Sequence, residues 1–542
     1  MHLSAEVVVS LQTYRTARAE GASQREAALK AGLPRSTLRG VDAVVHRTGV
    51  DSERDSLLLS PAGHALVRDI VDAVLFVFCL AGGVGLPTFR RFLQLARLDG
   101  YVASSHATLH ERLATLEAAY NRECDAERAL LAAGMEESAP VVVGLDETFF
   151  GSRTCLVAAD LLTGFILVEA FAEARDRAAW NAAWEKDTKG LPLVVAHAVS
   201  DGARGIQAFV TSDLGVFRAP DLFHVMHDIG KAFACHLARR ERRAEEREED
   251  ARSVYEALVE LELRGRGEIR RGRPVDFKGR KAQGRGFIAS AAREALVAKE
   301  RRETFKKILA ALGAAYFPVV LATGEVRTAE LLRQELEEIF ANLHELARSS
   351  DLGEHHATYL RKAERCIPEM VEALEHFHAQ VQAEIDHLPL ALGEADALKR
   401  FLVPAALLEE RARNQTADEK RALRERSAEL LGQAAAALGC KVTATTFERL
   451  LRVAVSLAAL WHRTTSSIEG RNGTLSQRHH TRRGLGAEKL LCATNVHNFH
   501  IRRGDGTTAA QRFFGKAHRD VARAALDSMG DLKRPRLSRK AA

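Results

Sequence analysis

The chain has 542 residues, of which 46% are hydrophobic and 28% are charged. This composition excludes a disordered chain, and the length allows more than one folded domain. The formal net charge is +6, so local clustering of basic residues, and not the overall charge, would have to indicate a polyanionic partner.

The cysteines and the N-terminus bear on the cellular compartment. The seven cysteines occur singly and none forms a C-x-x-C pair, so the spacing predicts neither a disulfide framework nor a zinc module. No basic segment precedes an apolar core at the N-terminus, and the most apolar stretch, 70–84, is too short to span a membrane. We therefore expect a cytoplasmic protein in a reducing environment.

Two short helices joined by a tight turn are the first elements predicted. Ser23 and Glu26 have the spacing of a capping box, which marks the start of a helix. Gly32 permits the turn, and Pro34 suits the first turn of the second helix.

The second of these helices carries polar and basic residues near its N-terminal end. Arg35, Ser36 and Arg39 would lie there, where recognition helices meet base edges and phosphates. The pattern predicts a helix-turn-helix DNA-binding domain in residues 1–60, with an ordinary helical hairpin as the alternative. Residues 61–138 are predicted to be a helical linker or a second DNA-binding unit.

The hydrophobic period changes from helical to β-like after residue 138. Five β-prone runs are separated by turns and by two helical stretches, in the order β-β-β-α-β-α-β. The predicted strands are 141–145, 154–159, 165–171, 193–199 and 219–224, and the predicted helices are 175–189 and 201–212. This order is that of a ribonuclease-H-like core, so we predict an α/β fold with a mixed sheet, whose first part is 139–237.

A long helical segment separates this part of the core from the rest. We predict an all-α insertion over 238–445, the second part of the core over 446–515 and a basic tail over 516–542. Within the insertion, the basic run 264–285 contains Arg271 and Arg273 among several glycines. It is suited to a phosphate backbone, and a solvated linker is the alternative.

Three acidic residues are the candidates for catalysis. Asp146 and Asp201 each end an apolar run, on strands that would be neighbours in the predicted sheet. Glu469 would lie in the first turn of a helix capped by Ser466 or Ser467. Because Mg²⁺ prefers oxygen ligands, these carboxylates could hold two Mg²⁺ ions for phosphodiester chemistry, and Mn²⁺ could replace them.

Basic residues follow the predicted catalytic glutamate closely. Arg471, Arg478, Arg482 and Arg483 are the candidates for contacts with DNA phosphates. The alternative is a capping glutamate beside a solvated basic loop.

Several short motifs, taken in order, resemble those of DDE-type transposases of bacterial insertion sequences. The motifs are GLDETFF at 144–150, VSD at 199–201, PDLFH at 220–224, SSIEGRNG at 466–473, HHTRRGL at 479–485, NVHNF at 495–499 and DGTTAAQRFF at 505–514. The resemblance covers most of the chain outside the helical insertion.

The resemblance implies a metal-dependent recombinase that cleaves DNA at the ends of an insertion sequence and joins the 3′-hydroxyl to target DNA. The implied triad is Asp146, Asp201 and Glu469. Asp221 and His224 match a [C/D]-x-x-H signature, for which a structural or DNA-facing role fits better than metal binding, since one His and one Asp make a poor zinc site.

Such an enzyme would bind double-stranded DNA as a homodimer or higher oligomer and would be associated with the bacterial nucleoid. Two alternatives remain open from the sequence. One is a non-catalytic DNA-binding regulator derived from a transposase, and the other is a structure-specific nuclease of the same fold.

Overall fold

The computed structural model describes residues 5–48, 57–58, 60–265, 275–439, 442–481 and 484–534. These parts of the chain form mostly α-helices and one five-stranded mixed sheet, which agrees with the predicted α/β class at this level. Every helix among these residues is either too short or too polar to span a lipid bilayer.

The chain divides into two compact units, each made of segments distant in sequence. The first unit comprises Met1–Pro140, Glu147–Val194 and Ile468–Ala542, and the second comprises Val141–Asp146 and Val195–Ser467. The whole of the predicted helical insertion, 238–445, therefore falls within the second unit.

Three helices begin the first unit: α1 (Ala5–Ala19), α2 (Gln24–Lys30) and α3 (Arg35–Thr48). The predicted capping box is present, because the Ser23 side chain accepts a hydrogen bond from the Glu26 amide and the Glu26 carboxylate accepts one from the Ser23 amide.

The turn between α2 and α3 depends on glycine. Gly32 has a φ of +69°, a conformation that favours glycine. The sequence predicted that Pro34 lies in the first turn of this helix, but Pro34 directly precedes α3. Its carbonyl accepts a hydrogen bond from the Leu38 amide. Leu38 is fully buried in a small apolar cluster that includes Leu11 and Tyr14.

Three further helices follow: α4 (Pro61–Val74), α5 (Leu86–Leu95) and α6 (His106–Ala133). A π-helical segment, Leu75–Ala81, continues directly from α4. These elements agree with the helical structure predicted for 61–138.

All five predicted strands are present and form one sheet in the order β3-β2-β1-β4-β5. The pair β2 and β3 is antiparallel, and the pair β4 and β5 is parallel. The strands are β1 (Ala139–Phe150), β2 (Arg153–Asp160), β3 (Ile166–Ala172), β4 (Leu193–Ser200) and β5 (Arg218–Pro220).

Two strand boundaries differ from the prediction. Strand β1 continues to Phe150, so Asp146 lies inside the strand and not at its end, because the β-prone residues after it extend the pairing. Strand β5 has three residues, and Asp221 begins a helix in which His224 occupies the first turn.

The two helices predicted between the strands are also present. They are α7 (Arg177–Asp187) and α8 (Arg204–Phe209), and a π-helical segment, Val210–Leu214, extends α8. Trp180 and Trp184 lie on the buried face of α7.

The second unit contains two long helices, α9 (Leu222–Arg264) and α10 (Phe277–Ala315). They run antiparallel, since Glu262 pairs with Lys281 near one end and Phe233 stacks on Phe305 near the other. Residues 277–285 of the predicted basic loop are therefore helical, and Arg271 and Arg273 lie outside the described residues.

Among the described residues, seven further α-helices follow in the second unit up to residue 459, besides a π-helical segment, Leu398–Leu402. They are α11 (Ala329–Ser349), α12 (Glu354–Glu364), α13 (Ile367–His387), α14 (Leu392–Ala397), α15 (Val403–Ala412), α16 (Ala417–Leu438) and α17 (Ala444–Ala459). Pro389 follows the end of α13, and Pro404 lies within the first turn of α15, where proline is tolerated.

Helix α18 (Ser466–Thr481) begins in the second unit and continues into the first. It is followed by α19 (Ala487–Phe499), α20 (Ala509–Phe514) and α21 (Val521–Asp527). Ile468 and Leu475 of α18 are buried with Cys155 and Val157 of β2, so the apolar face of the helix rests on the sheet. The predicted basic tail lies outside the described residues from residue 535 onward.

Candidate metal centre

Asp146 is a carboxylate inside a strand whose preceding residues are apolar. It follows Val141–Leu145 in β1 and is only 5% exposed. Burial of an ionised carboxylate is costly unless charged or hydrogen-bonding groups compensate it. The position therefore calls for a cationic partner, and the neighbouring elements show what can provide one.

Asp221 and His224 form a pair at the start of α9. The Asp221 side chain caps the helix by accepting a hydrogen bond from the Phe223 amide at 2.8 Å, and its other oxygen lies 2.9 Å from His224 Nδ1. A buried carboxylate at Nδ1 orients the imidazole ring and directs the Nε2 atom away from it.

Two further contacts hold Asp221 in place. Its amide donates a hydrogen bond to the Ser200 carbonyl at the end of β4. Its carboxylate also accepts a hydrogen bond from the Thr465 hydroxyl, one residue before α18. The buried Asp221 therefore ties together the sheet edge, the start of α9 and the segment that leads to the predicted catalytic glutamate.

Glu469 lies in the first turn of α18, as the sequence predicted. His224 lies near two carboxylates of the second unit, since the charges of Asp146 and Asp201 both act on its imidazole. Asp146, Asp201 and the Asp221–His224 pair are thus gathered in one part of this unit, where they could hold a metal ion.

The pKa of His224 reflects this acidic surrounding. Burial by itself would lower the pKa, but the hydrogen bond that His224 donates to Asp221 and the negative charges of Asp221, Asp146 and Asp201 outweigh it and raise the pKa to about 9. The acidic surroundings therefore stabilise positive charge at this point.

Asp201 contributes negative charge near His224. It directly follows β4, and its carboxylate accepts a hydrogen bond from the Ala203 amide at 3.0 Å. Arg218 of β5 donates to the backbone carbonyls of Ser200 and Asp201 and pairs with Glu369, which holds this turn to the sheet.

The donor set fits a divalent cation. Carboxylate oxygens suit Mg²⁺ and Mn²⁺, whereas an imidazole nitrogen suits transition metals better, so carboxylates together with His224 favour Mn²⁺ over Mg²⁺. The Asp221–His224 pair also has the arrangement in which a metal-binding histidine donates its other ring proton to a carboxylate.

Two arginines predicted to contact DNA have partners inside the protein. Arg471 is buried and forms a bidentate pair with Glu169 of β3, at 2.8 and 2.7 Å. Arg478 is also buried and donates to the Leu80 carbonyl at 3.1 Å. Both guanidinium groups are therefore engaged in contacts within the protein.

The other predicted DNA contacts divide into two groups. Arg35, Ser36 and Arg39 are exposed near the start of α3. Arg482 and Arg483, like Arg271 and Arg273, lie outside the described residues.

A metal-binding role for His224 is what the sequence did not favour. The sequence favoured a structural or DNA-facing role, because one Asp and one His make a poor zinc site. The available signal was the spacing of three residues between Asp221 and His224, which places both in one turn of a helix, together with the apolar strand that precedes them.

Comparison with known proteins adds one match. Residues 398–541 match a family of unknown function, DUF6399. The matched segment includes Glu469, whereas Asp146, Asp201 and His224 precede it. No match to a curated protein is found.

Proposed function

We propose that this protein is a metal-dependent transposase, which cleaves DNA at the ends of an insertion sequence and joins the freed 3′-hydroxyl to target DNA. The observation that carries the proposal is the group of acidic residues around His224 in the second unit, namely Asp146, Asp201 and Asp221. Acidic residues gathered in this way are what two-metal phosphoryl transfer requires.

The strand order supports a ribonuclease-H-like core. Three consecutive strands occupy one side of the sheet, and β4 and β5 extend it from β1 as a parallel pair. In this arrangement β1 and β4 are neighbours, which brings the strand that carries Asp146 beside the strand that ends at Asp201.

The residues of the site have separate roles in this mechanism. Asp146 would hold a cation, and His224 would add a nitrogen ligand whose orientation Asp221 maintains through Nδ1. Glu469 is the further carboxylate that the sequence predicts for this role. Asp201 adds negative charge nearby and is the candidate to hold a second ion. Bound Mg²⁺ or Mn²⁺ would activate the attacking hydroxyl group and neutralise charge on the leaving oxygen.

The N-terminal helices supply a candidate DNA-binding element. The capping box of α2, the left-handed turn at Gly32 and the exposed Arg35 and Arg39 of α3 are typical of a helix-turn-helix. Because a transposase brings two DNA ends together, we expect it to act as a homodimer or higher oligomer.

Isosteric substitution of the two site carboxylates tests the proposal. Asp146→Asn and Glu469→Gln should each remove the strand cleavage and the joining of 3′ ends that depend on Mn²⁺ or Mg²⁺, because an amide is a poor ligand for these ions. The assay uses labelled DNA that carries the ends flanking the gene, with product analysis on sequencing gels.

Glu173→Gln is the matched control, since Glu173 is an exposed carboxylate directly after β3. It should retain both activities. Full cleavage by Asp146→Asn would refute the assignment, whereas cleavage by the wild-type protein without any joined product would identify a nuclease of the same fold. Calorimetric titration with Mn²⁺ provides a readout that is independent of activity.

A further inference from the structure

Helices α9 and α10 enclose a groove that is lined mainly by arginine side chains. Among the described residues, Glu294 is the only acidic side chain that lines it. The arginines are Arg240, Arg243 and Arg247 from α9 and Arg293 and Arg301 from α10.

The arginines of α9 lie on one face of the helix. Arg240, Arg243 and Arg247 are separated by three and four residues, so they project in the same direction. Residues 238–252 contain as many acidic as basic residues, a composition typical of a solvated helix face. The structure separates the two signs of charge.

Acidic residues near the groove are paired with other arginines. Glu246 pairs with Arg242 and Glu248 pairs with Arg252, each one helical turn away on α9. Glu241 pairs with Arg302 across the two helices at 2.5 Å. These contacts neutralise carboxylates that would otherwise offset the charge of the groove.

The groove arginines themselves are only partly paired. Arg240 lies 3.5 Å from Asp351 and Arg247 lies 2.8 Å from Glu294, both as exposed pairs of the kind that contribute little to stability. Arg243, Arg293 and Arg301 form no ion pair with any carboxylate among the described residues. The groove thus keeps an excess of positive charge.

Small residues beneath the arginines leave room for a ligand. Ala244 of α9 and Ser290 and Ala298 of α10 line the same groove. The two helices are held together beside it by the stacked rings of Phe233 and Phe305, whose centroids are 5.0 Å apart. The groove is therefore part of a packed helical pair.

We propose that this groove binds the phosphodiester backbone of duplex DNA. Guanidinium groups are suited to this ligand, because each can donate two hydrogen bonds to one phosphate. The choice of duplex DNA, and not another polyanion, rests on the function proposed above. The phosphate chemistry follows from the arginines alone.

A triple substitution of the unpaired arginines tests the proposal in the full-length protein. Arg243→Gln, Arg293→Gln and Arg301→Gln together should weaken duplex DNA binding at least tenfold. They should also lower the slope of log K against log salt by about 2 to 3, because each lost phosphate contact removes about 0.9 from this slope. Fluorescence anisotropy at several salt concentrations, with EDTA present, measures both quantities without the metal site.

The control variant makes the same change of net charge, with all three substitutions on α9 outside the groove. Arg242→Gln, Arg252→Gln and Arg264→Gln remove three exposed arginines that each pair with a glutamate four residues away. This variant should lose less than half as much affinity and keep most of the salt slope. Equal losses in the two triple variants would overturn the proposal, since only net charge would then matter.

Three further measurements separate the possible ligands and the two proposals. Single-stranded DNA, RNA and anionic vesicles are titrated in parallel, and a loss confined to any of these would overturn the assignment to duplex DNA. If the groove substitutions weaken DNA binding while even the wild-type protein cleaves no DNA, the proposed DNA-binding role of the groove is supported and the catalytic proposal fails. Circular dichroism confirms folding, and the single variant Arg293→Glu is used if the triple variant does not fold.

Discussion

At the scale of single residues, buried charges in this protein occur in two kinds of setting. The pair of Glu169 and Arg471 is closed, because the carboxylate receives two hydrogen bonds from the guanidinium and a third from the Thr494 hydroxyl. Asp146 instead faces a group of mostly acidic residues, where the imidazole of His224 is the cationic member. The first setting stabilises the fold, and the second is suited to binding a cation.

The orientation of His224 by Asp221 leads to a prediction about metal affinity. Asp221→Asn should weaken Mn²⁺ binding about 10- to 100-fold, because an amide can no longer accept from the imidazole with the strength of a carboxylate, while its oxygen can still cap α9. Isothermal titration with Mn²⁺ measures the dissociation constant.

Asp520→Asn is the matched control for this substitution. Asp520 caps α21 in the same way, by accepting a hydrogen bond from the Arg523 amide. Its Mn²⁺ affinity should equal that of the wild type. An Asp221→Asn variant with wild-type affinity would argue against His224 as a metal ligand.

The same residues show how far single positions can be predicted from sequence. The place of Glu469 in the first turn of a helix follows from local pattern and is confirmed. The partner of Arg471 is 302 residues away in sequence, so no local pattern could distinguish this buried arginine from its exposed neighbours. A cationic side chain next to a catalytic candidate therefore predicts charge, but not what the charge contacts.

At the scale of elements, the number and order of strands follow from apolar runs and turns, while their ends do not. Strand β1 passes through Asp146 because Thr148, Phe149 and Phe150 prefer extended structure, although the acidic pair before them resembles a strand end. Strand β5 is instead shorter than predicted, and Asp221 could have indicated this. Aspartate is favoured as the capping residue before a helix, and here it caps α9.

The capping box of α2 gives a prediction about the stability of one element. Ser23→Ala should destabilise α2 by about 1 kcal/mol, because the Glu26 amide loses its acceptor at the helix start. Hydrogen exchange of the amides in Gln24–Lys30 measures the change, and the amides of α6 serve as the internal reference.

Ser36→Ala provides the comparison, since Ser36 is an exposed serine within the first turn of α3. It should leave the exchange of α2 unchanged. Protection of α2 that survives Ser23→Ala intact would mean that tertiary packing of Ala27 and Ala28, and not the cap, holds this short helix.

At the scale of the whole chain, buried histidines make stability depend on pH. Burial, with smaller effects of His376 and His462, lowers the pKa of His197 to about 3. Burial likewise lowers the pKa of His462 to about 4. Both residues are neutral in the folded protein at pH 6, where an unfolded chain, with a histidine pKa of about 6.5, binds protons.

The unfolded state therefore binds more protons than the folded state between about pH 6.5 and pH 4. The free energy of unfolding should fall as the pH is lowered through this range, by about 1.4 kcal/mol per pH unit for each such histidine. Urea unfolding at pH 7, 6 and 5 measures the slope.

His197→Gln should reduce this slope by about one proton, because glutamine does not titrate. His387→Gln is the control, since His387 is exposed at the end of α13 and should leave the slope as it is. An unchanged slope in His197→Gln would show that other groups cause the acid sensitivity.

The length of α9 has a consequence for any duplex that reaches both ends of it. His224 lies in its first turn and Arg243 lies 19 residues further along the same helix, so a straight rod of about 28 Å separates the two Cα atoms. Duplex DNA rises about 3.4 Å per base pair, so this span equals roughly eight base pairs. The length of the helix would then set the distance between the scissile phosphate and the phosphates that the arginines contact.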